Sequence, residues 1–236
     1  MISILPVEGL PPIREGADLG ALIAAAAEVC EGDVVVVAQK AVSKAEGRIV
    51  RLDELEPGED ARRLAGGRDP RLMQAILDES VRIVRERDGF VIAETRHGFV
   101  CGSAGVDASN APEAGMLVLL PLDPDASAER IRRSLGAGAA VIVSDSFGRP
   151  WRMGTTDVAI GAAGLRPLLD LEGRRDPTGY ELHSTMIAVA DEIAGAAELA
   201  MRKLAQVPAA IVRGLDLAGE GSARELIMPR GRDLFR

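Results

Sequence analysis

Apolar positions recur along the chain in two rhythms, one of helical spacing and one suited to buried strands. Four consecutive valines in GDVVVVAQK suit a strand covered on both faces. The preceding ADLGALIAAAAEVC has helical spacing and a capping residue, Asp18. In DPRLMQAILDESVRIVRER, Asp69 stands as a cap and Pro70 at the first helical position. Met73, Ile76, Leu77, Ser80, Val81 and Val84 then follow at helical spacing, which predicts one helix through the whole run. GFVIAETRHGFVCG predicts a strand pair turning near Arg96–Gly98, and GMLVLLP a buried strand. SAERIRRSLGAG predicts a helix closed by glycine, and AAVIVSD a strand that delivers Asp145 to its C-terminal end. After an apolar stretch at GLRPLLDLEG, a long helix is expected over GYELHSTMIAVADEIAGAAELAMRKL, then a strand at PAAIVRG. The tail beyond Gly219 is polar and ends in DLFR. Helices and strands alternate without repeats, which favours an α+β fold of mixed sheets with packed helices in a single domain over residues 1–236.

Composition narrows the partners. With 47% hydrophobic and 27% charged residues in 236, the chain is long enough for a large core. No apolar run approaches the roughly 20 residues of a membrane span, and the N-terminus lacks the pattern of a signal peptide, so a cytoplasmic protein without a membrane partner is expected. A net charge of −8 argues against a nucleic-acid surface and leaves room for a small anion in a local basic pocket. Cys30 and Cys101 form no CxxC pair and are expected to be core residues.

Three stretches carry candidate chemistry. VSDSFGRPWRMGTTDVAIG, Val143–Gly161, follows an apolar strand and contains the one tryptophan, Trp151. Its Asp145 offers a carboxylate, Ser146 adds a hydroxyl, and Arg149 and Arg152 offer fixed positive charge for bidentate contacts to an anionic substrate. A surface loop stapled by arginine–aspartate pairs, with Trp151 as an apolar plug, reads equally from this stretch alone. CGSAGVDASNAPEAG places Asp107 and Asn110 in a small-residue loop. Two aspartates on separate loops suit a hard divalent cation that keeps waters and phosphate oxygens, and a solvated aspartate turn reads equally from this loop alone. In VVVVAQKAVSKAEGR, Lys40 and Lys44 are two of only three lysines and fall just beyond the valine strand, with Gln39 and Ser43 beside them. A phosphate site and a basic rim paired with Glu46 both fit that pattern, while the GxxxxGK[ST] and GxGxxG loops are absent. His97 and His183 belong to no triad with a nucleophile. His183 is expected on the long helix and His97 in a turn.

In order and spacing, LPPIREGADL, AQKAVSKAEGRIV, RHGFVCGSAGVDASN, SDSFGRPWRMGTTDVAIG, ADEIAGAAELAMRK and IVRG resemble the coenzyme F420-0:γ-glutamyl ligase family. That resemblance implies an unusual two-lobed α+β ligase fold that forms a homodimer. It implies an enzyme that uses GTP to join L-glutamate to the terminal carboxylate of coenzyme F420-0, a phosphorylated deazaflavin, with Mg²⁺ or Mn²⁺ and room for K⁺. Asp107 and Asp145 would hold one metal ion, and Ser146 stands where the family usually has threonine as a ligand to a second. Leu10, Pro11, Pro12, Ile13, Gln39, Lys40, Lys44, Asn110 and the segment from Met201 would line the GTP site. The chain departs from the family pattern at Arg202 and Lys203, where many relatives carry glycine followed by an acidic or amide residue. The nitroreductase-like C-terminal extension of some relatives has no counterpart in these residues.

The residues fit this chemistry independently. Transfer of a γ-phosphoryl group to a carboxylate gives an acyl phosphate, and cations near Lys44 would stabilise the charge that develops. A metal-dependent phosphohydrolase or a non-catalytic nucleotide-binding module would draw on the same groups, and dependence on glutamate separates them from a ligase.

Overall fold

The computed structural model describes residues 1–234. In chain order the elements are β1 (Ser3–Pro6), α1 (Leu19–Ala26), β2 (Val34–Ala38), α2 (Gln39–Ala45), β3 (Ile49–Arg51), α3 (Glu59–Leu64), α4 (Pro70–Asp78), β4 (Ser80–Arg87), β5 (Phe90–Thr95) and β6 (Val100–Gly102). They continue with β7 (Met116–Val118), α5 (Pro124–Leu135), β8 (Ala140–Arg149), β9 (Arg152–Ala163), β10 (Leu169–Asp170), β11 (Met186–Ile187), α6 (Val189–Met201) and β12 (Ala209–Arg213). This is an α+β fold, as the alternation of patterns predicts.

The main sheet has the order β1-β12-β2-β8-β9, with β2 and β8 parallel and every other neighbour antiparallel. Its centre explains the four valines. Val35 and Val37 enter a core with Leu19, Ile23 and Ile131 from α1 and α5, while Val34 and Val36 enter a second core with Ile193, Ala194 and Ala197 from α6. A strand buried on both faces needs no polar alternation. A third core gathers Met73, Ile76, Val91 and Leu117 between α3, α4 and the smaller sheets β4-β5-β6 and β3-β7. Asp18 accepts the Ala21 N–H at 3.0 Å, Asp69 caps α4, and Gly136 closes α5 at φ 68°. Gly161 lets the start of α5 rest on β9: a Cβ there would meet the Pro124 carbonyl oxygen at 2.2 Å.

Several expectations are corrected. The helix expected through Arg87 ends at Asp78, and Ser80–Arg87 is strand β4, paired with β5. The sequence SVRIVRER is β-branched and alternates with arginine, and cross-strand pairing decides for the extended form. The long helix begins only at Val189, because residues 180–188 form a loop and the short strand β11, which leaves His183 off the helix. Strand β8 does not stop at Asp145 but runs on to Arg149 and returns as β9, so the expected loop is a hairpin. Cys101 is buried as expected, whereas Cys30 is only half-buried. Among the described residues no helix is long and apolar enough to cross a membrane. The last two residues of the DLFR tail lie outside the described residues.

Candidate functional site

Strands β2 and β8 run parallel up to the pair Ala38–Ser144. Beyond it β2 turns into α2, while β8 continues paired only with β9. That divergence leaves the edge of β8 open at Asp145, and a cleft of about 800 Å³ lies there. The volume is in the range of small-ligand sites, and ligands in sheets with parallel strands favour such divergence points.

The cleft gathers most of the residues expected from the sequence. Leu10, Pro11, Pro12 and Ile13 form one wall, Gln39, Lys40 and Lys44 come from α2, Asn110 from the loop before β7, and Met201 from the end of α6. Asp145 and Ser146 lie along β8. Asp107 reaches the cleft through Lys40, whose Nζ stands 2.6 Å from its Oδ2. Arg149 and Arg152 do not line it. They pair across the exposed end of the β8–β9 hairpin, flanking the exposed Trp151.

Lys40 and Lys44 share a face of α2 because they are four residues apart. Lys40 also donates to Ser109 Oγ at 2.9 Å. Lys44 makes no ion pair among the described residues, and burial, with the neighbouring Lys40 charge, pushes its ammonium below the usual lysine range. The alternative of a rim pair with Glu46 is not realised, because Glu46 is taken by Ser127 Oγ at 2.6 Å and by Arg130. Gln39 is fully buried and donates through Nε2 to Ser43 Oγ at 2.6 Å and the Leu119 carbonyl at 3.0 Å, which anchors the start of α2 under the cleft.

The carboxylates form the opposite pole. Burial pushes the Asp145 carboxyl up to about 7, and the charges of Asp157 and Asp107 add to the rise against a hydrogen bond from the Ser146 N–H and the charge of Lys40. Asp107 is also driven up by burial, but hydrogen bonds from Lys40 and from the Ser109 N–H, at 2.6 Å, outweigh it and hold the group below the usual range. The aspartate turn read from the loop therefore exists, together with the ion pair. Among the described residues no three His, Cys, Asp or Glu side chains make a ready-built metal cluster. The donor set is instead carboxylate and hydroxyl oxygen, and among the described residues Asp145 makes no ion pair, although the Lys40 charge acts on it. It fits a hard cation that brings its own waters or phosphate oxygens better than one held by protein alone.

Sequence patterns missed Asp157 and Glu198 as neighbours in this cleft, whereas Arg202 and Lys203, which belong to the segment from Met201 singled out in the sequence, do line it. Asp157 stands opposite Ser146 across the hairpin, a pairing visible only once SDSFG and TTDVA are aligned about the turn. Neither histidine enters. His97 stacks on Phe99 and bonds the Pro121 carbonyl at 2.9 Å, with burial lowering its pKa, and His183 packs against Tyr180 on an exposed loop.

Comparison with known proteins fits this picture. The sequence profile of the family described as F420-0:Gamma-glutamyl ligase matches residues 9–214. The chain is 45% identical over 250 residues to the coenzyme F420:L-glutamate ligase of Methanothermobacter thermautotrophicus, covering 100% of this chain and 99% of that protein. It is 46% identical over 247 residues to the protein of that name from Methanopyrus kandleri, covering 100% and 98%, and 43% identical over 242 residues to that from Archaeoglobus fulgidus, covering 100% and 96%.

Proposed function

The chain belongs to the F420-0:Gamma-glutamyl ligase family, and from that premise we propose that it uses GTP to form an amide between L-glutamate and the terminal carboxylate of coenzyme F420-0. The observation that carries this reading is the polarity of the cleft: Lys40, Lys44, Arg202 and Lys203 line the same space as Asp145, Ser146 and Asp157. The cationic side chains suit a polyphosphate, and the carboxylate and hydroxyl oxygens would hold a divalent cation.

Two carboxylates and an amine do not condense in water without activation. The F420-0 carboxylate attacks the γ-phosphorus of GTP, the bond to the β-phosphate oxygen breaks, and GDP leaves behind an acyl phosphate. The glutamate nitrogen then attacks the acyl carbon, inorganic phosphate leaves, and the amine proton passes to the phosphate or to water. Lys44 supplies an ammonium whose burial cost is offset when phosphate oxygens face it. Lys40 has a choice of partners, Asp107 in the free protein and phosphate once nucleotide enters. Leu10–Ile13 and Met201 give the base an apolar wall. Asp107, Asp145 and Ser146 would hold Mg²⁺ or Mn²⁺, which supplies charge neutralisation on the phosphoryl oxygens. Arg149 and Arg152, outside the cleft on the exposed hairpin end, are assigned to capture of the anionic acceptor or of glutamate.

The experiment that tests the activation step labels the F420-0 carboxylate with ¹⁸O. One label atom should appear in the released phosphate. Label retained wholly in the organic product would overturn the acyl-phosphate route, and phosphate released without glutamate consumption would favour a phosphohydrolase.

A further inference from the structure

Asp157 is nearly inaccessible to solvent, yet it sits beside the cleft with no Lys or Arg ion-paired to it among the described residues. Its two oxygens are each taken by a serine hydroxyl: Ser146 Oγ donates to Oδ1 at 2.6 Å and Ser144 Oγ donates to Oδ2 at 2.9 Å. Strand pairing explains the trio. Ser146 is directly opposite Asp157, and Ser144, two residues earlier on β8, shares its face. On the far side α6 closes over the same segment at Gly195, where a Cβ would stand 3.2 Å from Thr156 Oγ1.

Two neutral hydroxyls are a poor reason to bury a full negative charge, since an asparagine of the same shape would cost less to desolvate. The carboxylate does something an amide cannot. A hydroxyl has a single hydrogen and two lone pairs, and a partner that only accepts fixes where that hydrogen goes. With its hydrogen committed to Asp157, Ser146 can present only lone pairs to the cleft. We infer that Asp157 is a positioning residue that fixes the Ser146 hydroxyl as an oxygen ligand for a divalent cation in the nucleotide cleft. By strand alternation Asp145 and Ser146 face opposite sides of β8, and both line the cleft where the strand edge is open.

The inference rests on the reading of the cleft as a metal–nucleotide site, and its test separates the two. Mn²⁺ binding is measured by the loss of the free-ion EPR signal at fixed GDP for the wild type and for Asp157→Asn, Ser146→Ala, their double variant and Asp145→Asn. An amide can donate to Ser146 Oγ and release its hydrogen toward the cleft, so Asp157→Asn should weaken Mn²⁺ binding about 10-fold or more, the scale typical of a lost outer-shell partner. The double variant should be no weaker than Ser146→Ala alone, because both changes remove one ligand. Asp157→Ser gives the same readout should the asparagine variant not fold. Unchanged Mn²⁺ affinity at position 157 while Asp145→Asn binds weakly overturns the inference alone, as does full additivity with Ser146→Ala. Unchanged affinity in every variant, Asp145→Asn included, overturns the metal reading as well.

Discussion

The ammonium of Lys40 lies 2.6 Å from the Asp107 carboxylate, so the fold itself places a cation against that carboxylate. The pair is partly exposed and modest in energy, but it has a pH signature. The Asp107 carboxyl is held below 3.8, so its contribution to stability is present above that value and lost as pH falls through the lower folded-state value. Lys40→Gln should flatten the acid limb of the Tm profile below about pH 4. Parallel acid limbs for wild type and variant would contradict the pairing.

Asp145 has the opposite sign. Its pKa is raised from 3.8 to about 7, so the native state holds the proton more tightly than the unfolded chain. Stability of the metal-free protein therefore falls as pH climbs from about 4 to about 7 and levels off above. Asp145→Asn lacks this dependence, and its Tm should gain on the wild type across that window while metal-dependent activity is lost. Melting curves at a series of pH values decide it, and a constant Tm difference would refute the assigned environment.

Lys44→Ala should weaken GTP binding by roughly 1.5 to 3 kcal/mol, the scale of a hydrogen bond to a charged group. Calorimetry that finds equal affinities would return Lys44 to a structural role.

Lys203 lines the cleft near the end of α6 and adds a cation beside the expected polyphosphate. Lys203→Glu removes that charge and adds an oxygen ligand, so activity should shift to higher Mg²⁺ or Mn²⁺ concentration. Superimposable metal titrations would leave Lys203 as a solvated helix-end residue.

Much of this cleft is legible in the sequence because its residues sit where strong local signals end. The valine strand locates Lys40 and Lys44, and the apolar AVIV run locates Asp145 and Ser146. Signals that depend on a distant partner are not legible. SVRIVRER reads as the continuation of α4 until β5 supplies hydrogen bonds to an extended chain. HSTMIA reads as helix until residues Met186–Ile187 pair with β10. Asp157 lies in a polar stretch of β9, and only its register with Ser146 and the packing of α6 give it meaning.

The most direct measurement is mass spectrometry of the products, with nucleotide analysis alongside, after incubation with GTP, L-glutamate, F420-0 and Mn²⁺. The account predicts a glutamyl-extended deazaflavin and one GDP per amide formed, both abolished in Asp145→Asn. GTP hydrolysis without glutamyl product, or product formed equally by Asp145→Asn, would contradict it.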